Sequence, residues 1–243
     1  MKNSLRSSQL RFLGNYNAFL VRDAKFSYRH ELPVIKSDKF ESSVRIITFS
    51  KAIRKSQTDF ECWVCFYEND AAFEVFWKDP KKYLSTLKKF RGVISPDFSI
   101  SIDAPWSVQF VQTYRGRALA SWLQKNGIRV IVNIRYANKL SRSFCCEGIR
   151  CGGTIAIGTL GCLKEKRKRE KLVEGLEFIV GKLKPKMIVV YGGSPSSIFD
   201  KYKERGIEIV SYRPQIAEAK EFCLKSRITD INFRKDCKQG RLF

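Results

Sequence analysis

The chain has 243 residues, with 46 Lys plus Arg against 24 Asp plus Glu and a formal net charge of +22. Hydrophobic residues make up 44% and aromatics 13%, too apolar for a disordered basic tail and enough for a core in one fair-sized domain or two small ones. No apolar run approaches the roughly 18–20 residues needed to span a bilayer, so a transmembrane protein is excluded and a soluble, folded, basic one is expected.

Residues 1–57 are expected to form a basic N-terminal region that packs on or extends the core. They hold one clear strand candidate, Val44–Phe49, and otherwise read as irregular. The opening MKNSLRSSQLRFLGNYNAFLV has neither a continuous apolar core nor a small-residue cleavage site, so no secretory signal is expected. Its Arg and Ser content, with no acid before Asp23, faintly resembles a transit peptide; an ordinary basic N-terminal segment is the preferred reading.

From about residue 59 strand-like and helix-like segments alternate. Apolar, β-rich runs lie at Phe60–Tyr67, Gly92–Ile94, Ile128–Ile134, Thr154–Ile157, Met187–Tyr191 and Ile207–Tyr212. Asp70–Phe90 reads as two helices broken at Asp79-Pro80, because Pro cannot continue a helix from inside. Pro105–Lys125 carries an apolar stripe at Val108, Val111, Leu119 and Trp122 and stops at Asn126-Gly127. Leu163–Leu183 reads as a charged amphipathic helix, and Ser196–Arg205 as a short one stopped by Gly206. Such alternation predicts an α/β domain over residues 58–218, a mostly parallel sheet of about six βα units, either open doubly wound or an incomplete barrel. Residues 219–243 are left as a basic C-terminal helix or tail. In either architecture ligands sit at the carboxyl ends of the strands.

Eight cysteines include Cys62-Trp-Val-Cys65, which has metal-ligand spacing, and Cys145, Cys146 and Cys151. An odd offset along a strand points Cys62 and Cys65 to opposite faces, and His30 is the single histidine. No metal site is therefore assigned, and reduced thiols in a cytoplasmic protein are expected.

The charge is uneven. Residues 105–162 hold eight basic residues and one acid, Glu147. The run Lys164–Lys171 is read as a solvated helix face, its bases paired with Glu170, Glu174 and Glu177. The connection after Ile128–Ile134 is basic, aromatic and long for a βα loop. It offers Arg135, Tyr136, Lys139 and Arg142 to a phosphate backbone with bases stacked beside it; a disordered basic surface loop is the competing reading.

Candidate chemistry centres on Ser95-Pro-Asp97-Phe-Ser99-Ile-Ser101-Ile-Asp103. Extended, this segment puts Asp97 and Asp103 on one face but about 20 Å apart, too far to share an ion without a sharp bend. Asp103 is expected to cap the helix begun by Pro105, leaving Asp97 as the better base or metal ligand. In Tyr114-Arg115-Gly-Arg117 the arginines can hold a phosphate and Tyr114 is either a nucleophile or a packed core tyrosine. Gly158-Thr159-Leu-Gly161 and Tyr191-Gly192-Gly193-Ser194 each follow a strand and precede a helix, where free backbone N–H groups cradle anions. Neither is a dinucleotide or P-loop fingerprint, and no cofactor is evident; a divalent metal enters only with an enzyme.

Ser95-Pro-Asp-Phe-Ser99, Asp103, Tyr114-Arg115-x-Arg117, Gly127-Ile128, Thr154–Cys162 and Tyr191-Gly192, in this order and spacing, resemble domain of unknown function family 4417 of phage and mobile-element proteins, over roughly residues 59–213. Where that family's strand often proceeds to a proline, this chain has Val132-Asn133. The resemblance implies an α/β protein of a mobile genetic element and brings no assigned activity. Three functions remain in play. The first is nucleic-acid binding through Arg115, Arg135, Lys139 and Arg142. The second is a phosphate- or nucleotide-processing enzyme using Asp97 and the Gly192–Ser194 cradle. The third is a module that binds acidic protein partners.

Overall fold

The computed structural model describes residues 15–214; the expected C-terminal helix or tail lies outside them. Seven strands run through the described residues: β1 (Arg45–Thr48), β2 (Cys62–Cys65), β3 (Gly92–Ile94), β4 (Val130–Asn133), β5 (Thr154–Gly158), β6 (Met187–Tyr191) and β7 (Glu208–Tyr212). Every neighbouring pair is parallel and the spatial order equals the chain order. The run Val44–Phe49 supplies β1, so the six expected units become seven strands.

That order settles the architecture. A doubly wound sheet needs a point where the strand order reverses, and here there is none. Right-handed crossovers that always step the same way put every helix on one face, and a twisted sheet with one covered face curls around the other. The result is a half-barrel. Two apolar clusters record this: one joins Val64, Val93, Val132, Ile155 and Val190 to the helices. The other contains Ile46, Trp63, Cys65, Tyr67, Ile94, Ile131, Ala156, Val189 and Tyr191, with Phe40 as its one buried member from outside the strands and their immediate ends. Cys62 and Cys65 accordingly fall in different clusters.

The inner face is filled by few, large side chains. Trp63 lies across Gly92, where a Cβ would come 2.3 Å from the indole ring, so strand β3 needs glycine to admit it. Tyr67 stacks on Tyr191 at 4.9 Å between ring centroids. The open side, between β7 and β1, is bridged by a side chain: the Tyr212 hydroxyl lies 2.9 Å from both Ser42 O and Val44 O. Tyr212→Phe should therefore lower stability by about 1 kcal/mol, read as a shift in the urea midpoint with unchanged slope. A neutral result would show that the curl does not depend on this bridge.

Helices α1 (Phe49–Ala52), α2 (Asp70–Lys78), α3 (Pro80–Leu87), α4 (Trp106–Lys125), α5 (Lys166–Leu183) and α6 (Ser196–Glu204) fill the crossovers. Asp79 divides α2 from α3 and its side chain accepts from Lys82 N, with Pro80 opening α3. Gly127 (φ 81°) and Gly206 (φ 79°) follow α4 and α6 in the left-handed region that favours glycine. The stripe expected along α4 holds only in its second half. Leu119 and Trp122 are buried, whereas Val108 and Val111 are exposed. The first half instead buries Gln109, whose amide donates to Ala104 O and accepts from Ser141.

The segment before β1 belongs to the packing. Leu20, Leu32 and Ile35 are core residues. Strand β4 pairs with β3 through Val130 and Ile131 and with β5 through Val132 and Asn133. Asp38 Oδ2 and Ser37 Oγ accept the Val130 and Val132 N–H groups, so this segment satisfies backbone donors in β4 that would otherwise be orphaned.

Candidate functional site at the strand carboxyl ends

Inward-pointing positions alternate along a strand. Beyond Cys65 the next inward residue is Tyr67, and beyond Ile131 it is Asn133; both emerge at the carboxyl end of the sheet, beside Asp97 after β3. Tyr67 Oη donates to Asn133 Oδ1 at 2.9 Å, and Asn133 Nδ2 donates to Asp97 Oδ1 at 2.6 Å. Arg135 Nε lies 2.8 Å from the same Oδ1. The contact is a close charge pair rather than an aligned hydrogen bond, since Nε has no directed acceptor. Oδ1 is thus held by the Asn133 amide and the Arg135 charge, while Oδ2 lies on the side of Gly158.

Asp97 is 5% exposed. Burial pushes its carboxyl above the ordinary aspartate value of 3.8, with the Arg135 charge and the Asn133 amide pulling back. Burial pushes the Arg135 guanidinium down, and the surrounding groups, Asp97 foremost, together more than restore it. Tyr67 is held well above the ordinary phenol value, by burial first and the Asp97 charge second, so it stays a hydroxyl donor and fixes the orientation of the Asn133 amide.

Arg135 also lines a pocket of about 470 Å³ over the ends of β4 and β5. Its walls include Ile102, Ile134, Ile157, Leu172 and Ile179, and Arg167, Lys168 and Lys171 stand among them with Asp103 and Glu165. Gly158 forms the wall nearest the polar cluster. A Cβ there would fall 2.8 Å from the Tyr67 ring and 3.6 Å from Asp97 Oδ2, so glycine brings the pocket close to both.

The other expected residues are placed as follows. Asp103 does not cap α4: Pro105 holds that position without a side-chain bond, and Asp103 makes a two-pronged ion pair with Arg167, at 2.6 and 3.3 Å. Capping loses because Asp103 is two residues too early in the chain and has a cation opposite. Tyr114 packs half-buried against the outer core, with burial raising its hydroxyl above the ordinary value. Arg115 turns away, paired with Glu74 at 2.5 Å and lying 3.9 Å from the Phe98 ring centre. Arg117 is buried and donates to Cys145 O. The basic connection after β4 is folded: Asn138 caps a 3-10 turn over Lys139–Ser143 in a capping box with Ser141, and Phe144, Cys145 and Cys146 are buried. Tyr136 packs on Gly175 and donates to Glu174, which also pairs with Arg142 at 3.0 Å; Lys139 is exposed. Thr159 is buried and donates to Gly193 O, and the Gly192 N–H is committed to Tyr212 O. Gly192, Gly193 and Ser194 border a neighbouring pocket of about 610 Å³ with Arg169 and Arg213.

Asp97 and Arg135 therefore converge, Arg135 and Asp103 share the pocket wall, and Arg115 joins neither. Sequence reasoning missed Tyr67 and Asn133, although a lone amide ending the apolar run Val-Ile-Val was a signal. It also passed over Arg167, Lys168 and Lys171, whose run reads as solvent-facing. Among the described residues no group of three or more His, Cys, Asp or Glu side chains is placed to hold a metal, and no helix is long and apolar enough to cross a membrane.

Fold and site together define an all-parallel α/β half-barrel with a polar cluster and a mixed apolar and cationic pocket at the strand carboxyl ends. The family model described as "Domain of unknown function (DUF4417)" matches residues 24–213, and the chain belongs to that family. It is similar to the Gene 1 protein of Mycobacterium phage L5, 31% identical over 127 residues, covering 52% of this chain and 56% of the relative. It is also similar to the Gene 1 protein of Mycobacterium phage D29, 28% identical over 127 residues, covering 52% of this chain and 47% of the relative. The chain thus spans about half the length of the curated relatives it matches, and by these affinities it is a phage-type protein. No solved structure matches it.

Proposed function

We propose that this protein binds a phosphorylated small molecule of about nucleotide size at the carboxyl ends of β4 and β5 and acts on it with Asp97 as general base. The observation that carries this reading is the position of Arg135, which pairs with Asp97 and lines the pocket. A volume of about 470 Å³ lies within the range of small-molecule sites. Apolar walls suit a base or other non-polar moiety, and Arg135, Arg167 and Lys171 suit its phosphate. Asp97 would accept a proton through Oδ2 while Asn133 and Arg135 hold Oδ1. Free thiols at Cys62, Cys65, Cys145, Cys146, Cys151 and Cys162 accord with a reducing, cytoplasmic setting.

Calorimetric titration with nucleoside mono-, di- and triphosphates and sugar phosphates tests binding. Arg167→Ala should weaken it about tenfold, and Asp97→Asn should abolish turnover while retaining affinity within a few-fold. Because the Asp97 carboxyl is raised by burial, the acid limb of a turnover profile should fall above 3.8, with activity lost as pH drops through it. Unchanged affinity in Arg167→Ala and unchanged turnover in Asp97→Asn would remove the reading.

Nucleic acid is the second ligand class, favoured by the exposed Arg167 and Lys168 on the first turn of α5. It would contact these residues, whose partners Asp103 and Glu165 are themselves solvent-exposed, and Lys139, rather than Arg115, whose guanidinium is paired with Glu74 and largely buried. Oligonucleotide binding with a steep salt dependence that survives Arg135→Met would favour it.

A further inference from the structure

Arg117 presents a problem of charge that the pocket chemistry does not touch. It sits inside α4, 3% exposed, with no carboxylate at ion-pair distance among the described residues. A guanidinium has five N–H donors. Nη2 reaches Cys145 O at 2.8 Å, but Nε and Nη1, which carry three of the five, are buried without an acceptor. Buried donors are almost always satisfied, by protein or by something bound.

Arg117 lines a narrow crevice of about 20 Å³ between α4 and the ends of β3 and β4. Ser95, Pro96, Gly116, Asn133, Arg135 and Cys145 complete most of its wall. A crevice of that size admits one water-sized occupant, and a phosphate or sulfate is too large. Gly116 keeps the gap narrow, since a Cβ there would fall 2.9 Å from Pro96 O. The crevice is distinct from the 470 Å³ pocket, though Arg135 borders both.

Two guanidinium groups border this crevice and one carboxylate, Asp97, serves them, already committed to Arg135. A buried positive charge without a counter-charge is strongly unfavourable. Water would accept hydrogen bonds but leave that charge in place, whereas a monatomic anion answers both deficits. We propose that the crevice between Arg117 and Arg135 is a halide site, occupied by chloride under ordinary ionic conditions, that locks α4 onto the carboxyl ends of β3 and β4.

Thermal unfolding in sodium chloride, bromide, gluconate and sulfate at matched ionic strength tests it. A halide present at about tenfold over its dissociation constant should raise the melting temperature by about 3 °C, with gluconate giving no such rise and sulfate giving only a non-specific increment that Arg117→Met retains. In Arg117→Met the halide increment should vanish. Should that variant fail to fold, crystals of the wild-type protein grown in bromide should show an anomalous-scattering peak in the crevice beside Arg117. Equal melting in bromide and gluconate, an increment that persists in Arg117→Met, or no bromide peak would overturn the site. Charge balance would then fall to the protein itself, most directly to the Cys145 and Cys146 thiols, whose sulfurs lie 3.8 Å apart. Because Arg117 lies outside the 470 Å³ pocket, failure here leaves nucleotide titration of that pocket unaffected.

Discussion

Arg135→Met is expected to destabilise the protein by about 3 kcal/mol and to abolish ligand binding in the carboxyl-end pocket. Removing one partner of a buried ion pair costs about 3–5 kcal/mol, because the other charge is left unpaired. The low end applies since the Arg135 side chain keeps 27% of its surface while Asp97 keeps 5%. The sign of the pH dependence follows from Asp97. Its folded-state value is raised, so ionised Asp97 is a burden to the fold that protonation relieves, and without Arg135 that value rises further. The deficit of the variant should therefore be largest near neutrality and shrink as pH falls through the titration of Asp97. Urea unfolding across this pH range measures it, and a pH-independent deficit would mean that the loss is one of packing alone. Asp97→Asn combined with Arg135→Met should recover part of the loss, the signature of a coupled pair.

Trp63→Ala is expected to cost about 3–5 kcal/mol, the range for emptying a large buried aromatic site. Trp63 is fully buried on the inner face, over Gly92 and 5.3 Å from the Phe40 ring centre. Among the described residues no helix packs on the inner face to collapse into the space, so the cavity persists. Trp63 Nε1 also donates to Glu41 at 3.2 Å. Burial raises the Glu41 carboxyl, but bonds from Arg129 and Trp63 together hold it below the ordinary 4.5. A depressed carboxylate contributes stability present above its unfolded value and lost as pH falls, so part of the Trp63→Ala deficit should disappear below about pH 4. Chemical denaturation at neutral and acid pH checks both statements. A loss under about 1 kcal/mol would show an inner face that rearranges freely.

The sequence alone determined the α/β class and nearly every strand and helix, because alternation of apolar runs with amphipathic stretches is a local property. It located Asp97 and Arg135 for the same reason, as polar residues just beyond strands where such sheets bind ligands. Asp79-Pro80, Asn126-Gly127 and Gly206 marked boundaries that depend on backbone chemistry within a few residues. What the tertiary structure decided is non-local. Half-barrel rather than doubly wound sheet depends on the order in which strands pair, and a strand carries no label for its neighbour. The partners of the charges are equally distant in sequence: Glu74 for Arg115, Glu174 for Arg142, and Asp103 for Arg167. A net charge of +22 looks like a broad basic surface on paper. In the fold several of its arginines are paired, stacked or buried, and the tertiary structure alone shows which cations border a pocket.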